Sequence, residues 1–342
     1  MSGTDLPGLP AVAVDNWLRA RLPDLVDQRD WTAEVVSGGL SNITYRLHLA
    51  RGEVILRRPP LGGVLPSAHD MAREFRVISA LAGTAVPVPR ALALDVDGEV
   101  LGYPFYVMSN VSGTVVRTPA DVAALEPAAR RALADDLIAT LAALHAVDPD
   151  SVGLADYGRP DGYAERQIRR WGLQWERSRT GELPDMDRLL AGLQAAVPAR
   201  ADSGIVHGDY RLDNTVVDLS GPAPRIAAVV DWELSTLGDP LADLGLALTY
   251  WDGGLDPAVP PVTAADGFPD GRQFAQRYAE RTDRDLTDLP FYLALGAMKL
   301  AVIMEGVHAR FVHGHTVSGG YERAGDGVSP MVARGLRMLS GR

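Results

Sequence analysis

One stretch constrains this chain more than any other: Ile205-Val206-His207-Gly208-Asp209-Tyr210-Arg211-Leu212-Asp213-Asn214-Thr215-Val216-Val217-Asp218. Two short apolar runs flank a polar turn, the pattern of two buried strands joined by a loop. The turn carries His207, Asp209 and Asn214, and a later apolar run, Ala227-Ala228-Val229-Val230, ends in Asp231-Trp232-Glu233. That arrangement suits phosphoryl transfer. Such chemistry needs one carboxylate to orient or deprotonate a hydroxyl, and an amide with a second carboxylate to hold Mg²⁺ on the phosphates. The plainer reading is a polar β-turn in which Asn and Asp serve turn chemistry alone. The rest of the chain has to separate the two.

At 342 residues the chain is long enough for one large domain or two lobes. With 46% hydrophobic and 23% charged residues it has the composition of a globular protein with a sizeable core. Cysteine is absent, which removes disulfides, thiolate nucleophiles and cysteine-bound metals. The formal net charge of −11 argues against nucleic-acid or anionic-membrane partners, which require basic surface, and mildly favours a cationic ligand. No apolar run reaches the roughly 20 residues of a membrane span. Met1-Ser2-Gly3-Thr4-Asp5 lacks the basic start and apolar block of a signal segment, so a cytoplasmic location is expected.

In the N-terminal third, Val12, Val14, Trp17, Leu18 and Leu22 give residues 11–21 an amphipathic helical pattern closed by Pro23. Residues 31–58 read as three strands: one through Val35-Val36, one over 43–49 and one over 54–58. Ser37-Gly38-Gly39-Leu40-Ser41-Asn42 joins the first two, and glycine there permits backbone N–H groups to approach phosphates closely. His69 to Ala82 is a helix with Met71, Phe75, Ile78 and Leu81 on one face and Glu74 among them. An acid bracketed by core positions calls for a cationic partner. Arg57 ends the third strand, where the kinase pattern carries a phosphate-pairing lysine held by a helix glutamate. Arg57 is thus the partner that pattern implies and Arg58 the alternative, since strand alternation turns only one of the two toward the cleft. Val86 to Leu94 and Gly102 to Met108 read as two further strands.

Beyond Gly113 the periodicity becomes helical, over 126–147, 158–172, 186–197, 272–280, 289–311 and 327–339. His145 falls on the apolar face of the first of these helices, the setting of a hydrogen-bonded core histidine. Asp239 and Pro240 read as the N-cap and first residue of another helix. His308, His313 and His315 lack an acid at metal-ligand spacing.

His-Gly-Asp followed by Asn214, then Asp-Trp-Glu after a strand, resembles the aminoglycoside phosphotransferase and choline kinase branch of the kinase-like fold. Leu-Arg-Arg-Pro-Pro at 56–60 resembles the subgroup related to phosphotransferase domains fused to acyl-CoA dehydrogenases. The resemblance implies an α+β, bilobal protein-kinase-like fold. A small antiparallel-sheet N-lobe with one main helix would occupy 1–110, and a larger, mainly helical catalytic and substrate lobe 111–342. It implies transfer of the γ-phosphoryl group of ATP, or GTP, to a hydroxyl of a small molecule. Asp209 would be the catalytic base, and Asn214 and Asp231 the Mg²⁺ ligands. Gly39, Leu40, Ser41 and Asn42 would cover the phosphates. Arg57, positioned by Glu74, would steady them. Met108, Ser109, Asn110 and Val111 would meet the adenine through main-chain atoms. His207 would shape the loop and Asp243 brace it. Gly208 in place of the protein-kinase arginine, and the lack of Ala-Pro-Glu, argue against a protein kinase. A nucleotide-binding regulatory module without catalysis is the alternative.

Overall fold

In the N-terminal part, the pleat of the strands, with clear alternation along residues 43–49, builds a sheet with two different faces. The computed structural model describes residues 6–27, 31–36, 42–61, 70–199, 202–253, 261–313 and 323–341. The chain divides into two compact units, Met1–Gly113 with Ala227–Glu233, and Thr114–Ile226 with Leu234–Arg342. Asp231 and Glu233 therefore belong with the N-terminal residues.

The first unit holds α1 (Ala11–Arg21), β1 (Thr32–Val35), β2 (Ile43–Leu49), β3 (Gly52–Arg58), α2 (Met71–Leu81), β4 (Ala91–Asp95) and β5 (Phe105–Ser109). The sheet order is β1-β2-β3-β5-β4, with antiparallel neighbours. Tyr45, Leu47, Leu49, Val54, Leu56, Phe105 and Val107 form one core with Val14 and Leu18 of α1 and with Trp31. Each buried branched or aromatic side chain of this kind contributes roughly 1.5–3 kcal/mol. Residues one step out of phase, Ile55, Arg57, Tyr106 and Met108, leave the sheet on the opposite face.

Asp70 caps α2 by accepting from the Arg73 amide at 3.0 Å. The helix buries Met71, Glu74, Val77, Ile78 and Leu81, with Phe75 half-buried. The fourth strand begins at Ala91 rather than Val86, because Pro87 and Pro89 have no N–H to give a ladder. The fifth begins at Phe105, since Gly102 has φ +76° and Pro104 again lacks a donor.

The second unit contains α3 (Pro119–Ala123), α4 (Pro127–His145), α5 (Tyr163–Ser178), α6 (Pro184–Ala195), β6 (Gly204–Val206) and β7 (Thr215–Asp218). Strand β8 (Arg225–Val229) passes from this unit into the first. Then come β9 (Thr236–Gly238), α7 (Pro240–Gly253), α8 (Gly271–Thr282), α9 (Leu289–Val312) and α10 (Val328–Ser340). Helix α3 escaped the periodicity reading because five residues are too few to show one; its signal is the Thr118–Asp121 capping box. Helix α5 starts five residues later than expected, because the Arg159-Pro160-Asp161-Gly162 turn ends with Gly162 at φ +64°.

Helix α9 differs from the sequence expectation. It is 24 residues long, and its most apolar window has a mean hydropathy of 1.4, enough by length and composition to cross a membrane. Lys299 and Glu305 break the run as written, but they do not outweigh the Ala and Leu around them. The same window is 67% buried, and α9 packs on α5, α6, α7 and α10 as a core helix. At its contact with α7 a Cβ on Gly245 would lie 2.5 Å from the Tyr292 carbonyl, so only glycine lets the backbones approach this closely.

Candidate active site

The loop after β6 is built by short-range chemistry and held by long-range partners. Gly208 stands at φ +81°, and a Cβ there would lie 2.6 Å from the Leu234 carbonyl oxygen. The site admits glycine alone, which accounts for the residue that replaces arginine in the motif. The His207 and Gly208 amides both donate to the Asp243 carboxylate, the second at 2.7 Å. Asp243 sits within the first turn of α7, whose N-cap Asp239 accepts from the Leu241 amide at 2.8 Å.

Burial alone would raise the Asp243 pKa, but the hydrogen bond and charge of His145 and the Gly208 amide hold it below the ordinary carboxylate value. His145 lies 3.4 Å from Asp243 through Nε2 and 2.7 Å from the Tyr278 hydroxyl through Nδ1. Burial pushes the His145 pKa down against the pull of Asp243. His207 is fully buried, and its Nδ1 accepts from the Asp209 amide at 3.2 Å. Its part in the loop is therefore the hydrogen-bonding one expected.

A 3₁₀ turn at Leu212–Asn214 folds Asn214 back onto Asp209. Asn214 Nδ2 donates to the Asp209 carbonyl at 2.8 Å and to Asp209 Oδ2 at 2.9 Å. This leaves the amide oxygen, Oδ1, as the Asn214 atom available to a hard cation. Asp209 Oδ1 is buried beside the Tyr250 phenol. That phenol has a pKa well above its ordinary value, through burial first and the Asp209 charge second. Arg211 adds positive charge 3.6 Å from Asp209 Oδ2 and 3.0 Å from Asp213, and its guanidinium lies 4.9 Å from the centre of the Tyr250 ring.

The first unit brings together a second cluster. Arg57 Nε lies 2.9 Å from Glu74 Oε2, and Arg57 Nη2 contacts Asp231 Oδ1. Glu74 also accepts from Asn42 Nδ2 and from the Tyr106 hydroxyl, each at 3.0 Å. Asn42 Nδ2 reaches Glu233 Oε2 as well, at 2.9 Å. Burial disfavours the Arg57 charge, yet Glu74 and Asp231 outweigh it and hold the guanidinium pKa above arginine's ordinary value. For Glu74, burial pushes the carboxyl up and Arg57 opposes it.

Arg58 points the other way and donates to the carbonyls of Gly8 and Pro59. Asp231 is 30% exposed at its side chain and stands at φ +67°, one of two non-glycine residues found in the left-handed region among those described. Met108 and Ser109 end β5, Asn110 and Val111 follow, and Asn110 Nδ2 bonds Glu53 Oε2 at 2.7 Å. Gly39, Leu40 and Ser41 lie outside the described residues, as does His315.

Among the described residues no three His, Asp or Glu side chains converge into a ready-made metal cage. Mg²⁺ does not require one, because it takes one or two protein ligands and completes its shell with water and phosphate oxygens. Taken each within its own unit, the Asn214 amide oxygen and the Asp231 carboxylate are oxygen donors of the hard kind that Mg²⁺ takes. Sequence reasoning missed Tyr106, Glu233 as a partner of Asn42, Tyr250 and Lys299. Only Lys299 carried a signal in the sequence, being the single lysine beside 32 arginines.

The model of the phosphotransferase enzyme family (APH) matches residues 32–280. The chain belongs to this family. It is 34% identical over 293 residues to mouse acyl-CoA dehydrogenase family member 10, covering 84% of this chain and 27% of that protein. Across the curated relatives it matches, the chain spans 27% to 42% of their length.

A crystal structure from Ralstonia eutropha JMP134, named as a proposed aminoglycoside phosphotransferase, is 36% identical with a TM-score of 0.81, covering 96% of this chain and 98% of the other. At 15% identity the fold is shared with the GDP complex of aminoglycoside 2'-phosphotransferase-IIIa (TM-score 0.61; 96% and 98% covered). It is also shared with the ADP and hygromycin B complex of APH(4)-Ia (TM-score 0.62; 96% and 98% covered). The fold is thus the kinase-like phosphotransferase fold, with an antiparallel-sheet N-lobe and a mainly helical C-lobe.

Proposed function

We propose that this protein transfers the γ-phosphoryl group of ATP, or of GTP, to a hydroxyl of a small molecule. The observation that carries the reading is the Asp209–Asn214 pair. Asn214 Nδ2 holds the Asp209 carboxylate through Oδ2 and through the Asp209 carbonyl, fixing the orientation of a group that must accept a hydroxyl proton. Asp209 is the base, taking the acceptor proton as the oxygen attacks phosphorus. Asn214 and Asp231 are the Mg²⁺ ligands, and the bound ion supplies neutralisation of phosphate charge.

Arg57, set in place by Glu74, steadies the phosphates through its planar fork. Backbone around residues 39–42 covers them, and main chain at 108–111 meets the base. A functional boundary at 110/111 between nucleotide lobe and catalytic lobe belongs to this reading. So does a cytoplasmic setting, where the nucleotide triphosphate is available.

Family membership and the nucleotide and antibiotic complexes of distant neighbours support this class of chemistry. The acceptor is a small hydroxylated compound, and the net charge of −11 favours a cationic one. The test is Mg-ATP and Mg-GTP turnover against a panel of aminoglycosides, amino alcohols, sugars and hydroxy acids. With an acceptor found, Asp209→Ala should lower kcat at least ~1,000-fold while nucleotide affinity changes little. Unchanged turnover would refute the assignment.

A second reading, a nucleotide-binding module without catalysis, has one observation in its favour: the Arg57 guanidinium pairs with the proposed metal carboxylate, Asp231. Nucleotide binding that is indifferent to Mg²⁺, with no turnover across the panel, would favour it.

A further inference from the structure

Lysine occurs once in this chain, at position 299, against 32 arginines. Its ammonium reaches from α9 to the carbonyl oxygen of Gly208, the residue before the proposed base. It also lies 5.2 Å from the centre of the Trp171 ring, contributed by α5. Beside it is a cavity of about 20 Å³, lined by Trp171, Gly208, Asp243, Gly296 and Lys299 among others.

Gly208 is thereby gripped from two helices. Its N–H is bonded by Asp243 of α7 and its C=O by Lys299 of α9. A glycine at φ +81° has many other conformations open to it, and a flip of the 208–209 peptide would swing the Asp209 carboxylate with it. Asp243 holds only the amide side of that residue. The Gly208–Asp209 peptide plane itself is held by the ammonium on its carbonyl and by the Asp209 N–H on His207.

We propose that Lys299 is a positioning residue for Asp209, clamping the Gly208–Asp209 peptide through the Gly208 carbonyl; this rests on the phosphotransfer reading above. The site calls for lysine rather than arginine. A compact ammonium on a thin stem fits between the Trp171 face and one carbonyl. A guanidinium is a wide planar fork suited to two acceptors and would meet the Gly208 carbonyl in a different geometry. A composition that uses arginine at every other basic position therefore marks this one as different.

Two variants test the clamp, Lys299→Met, which keeps the stem and its packing, and Lys299→Arg, which keeps the charge. Amide hydrogen exchange is followed in peptides spanning 205–212 and, as a control, along 289–312. Both variants should exchange about tenfold faster in the loop peptide with α9 unchanged. With an acceptor in hand, both should lose ~10- to 100-fold in kcat with KM for Mg-nucleotide within about twofold, the effect of a small misplacement of a reacting group. Unchanged exchange in 205–212, faster exchange spread along α9, or a kcat within twofold of wild type in either variant would overturn the proposal. Exchange is read without turnover. A wild-type protein that phosphorylates nothing in the panel therefore counts against the phosphotransfer reading, while the loop peptide still decides the clamp.

Discussion

Asp243 gives the most severe test of how this loop is held. The residue is 1% exposed and its carboxylate accepts two buried backbone N–H groups, from His207 and Gly208. A hydrogen bond to a charged acceptor contributes roughly 1.5–3 kcal/mol, and a buried donor left unpaired costs about the same. Asp243→Ala strands both donors and removes the partner of His145, so it should cost about 3–5 kcal/mol. That is a large part of the 5–15 kcal/mol typical of a folded domain.

Asp243→Asn keeps one acceptor oxygen but sets an NH₂ against the second backbone N–H, and should cost about 2–3 kcal/mol. Urea unfolding followed by circular dichroism and tryptophan fluorescence measures both losses. A loss below about 1 kcal/mol for the alanine variant would refute the brace.

The pH dependence carries a second check. His145 and Asp243 both have folded pKa values below their ordinary values of 6.5 and 3.8. For each, the unfolded chain binds the proton more readily, so stability is lost as pH falls. The His145 contribution is whole above about pH 6.5 and disappears as the pH drops through its lowered folded value. The Asp243 contribution is lost only below about pH 3.8. The wild type should therefore lose stability in two stages on acidification. Asp243→Asn should lack the lower one, and His145 should protonate at a still lower pH once the charge that opposes its burial is gone.

Gly208→Ala places a Cβ 2.6 Å from the Leu234 carbonyl oxygen at φ +81°, and should cost about 2–4 kcal/mol in urea unfolding as the sum of left-handed strain and overpacking. Glu74→Gln neutralises the carboxylate that Arg57, Asn42 and Tyr106 share; it should lower stability by about 2–3 kcal/mol and weaken nucleotide binding by ~10-fold in calorimetry. Asp231→Asn should weaken Mg-nucleotide binding by ~10-fold or more while nucleotide without Mg²⁺ binds as in wild type, and chelation by EDTA should bring the wild type to the same level. Equal losses with and without Mg²⁺ would remove Asp231 from the metal site.

Local patterns made much of the fold legible in advance. Strand alternation along 43–49 and the helical phase of α2 placed the core faces in advance, through the 2.0 and 3.6 periodicities of neighbouring residues, while the kinase pattern supplied the pairing of Glu74 with an arginine of β3. The hydrogen bonds from Asn214 to Asp209 were not read in advance; they depend on the 3₁₀ turn at Leu212–Asn214, which is too short to show a periodicity. The misses have local causes as well: prolines that shorten β4 and β5, and the Pro160–Gly162 turn that delays α5. The Arg57 and Arg58 alternatives were separable only by seeing which sheet face α1 covers and which α2 covers.

The sequence by itself determined the order of elements, the motif spacing and the chemical kinds of the site residues, because these are set by neighbours within a few positions. Tertiary structure alone decided which partners hold them. Gly208 is bonded on one side by a residue 35 positions away and on the other by one 91 positions away. Asp231 meets Arg57 across 174 positions. No periodicity encodes such pairings. They exist because a buried donor or charge is costly unless packing delivers its complement to that point, and packing is a property of the folded chain.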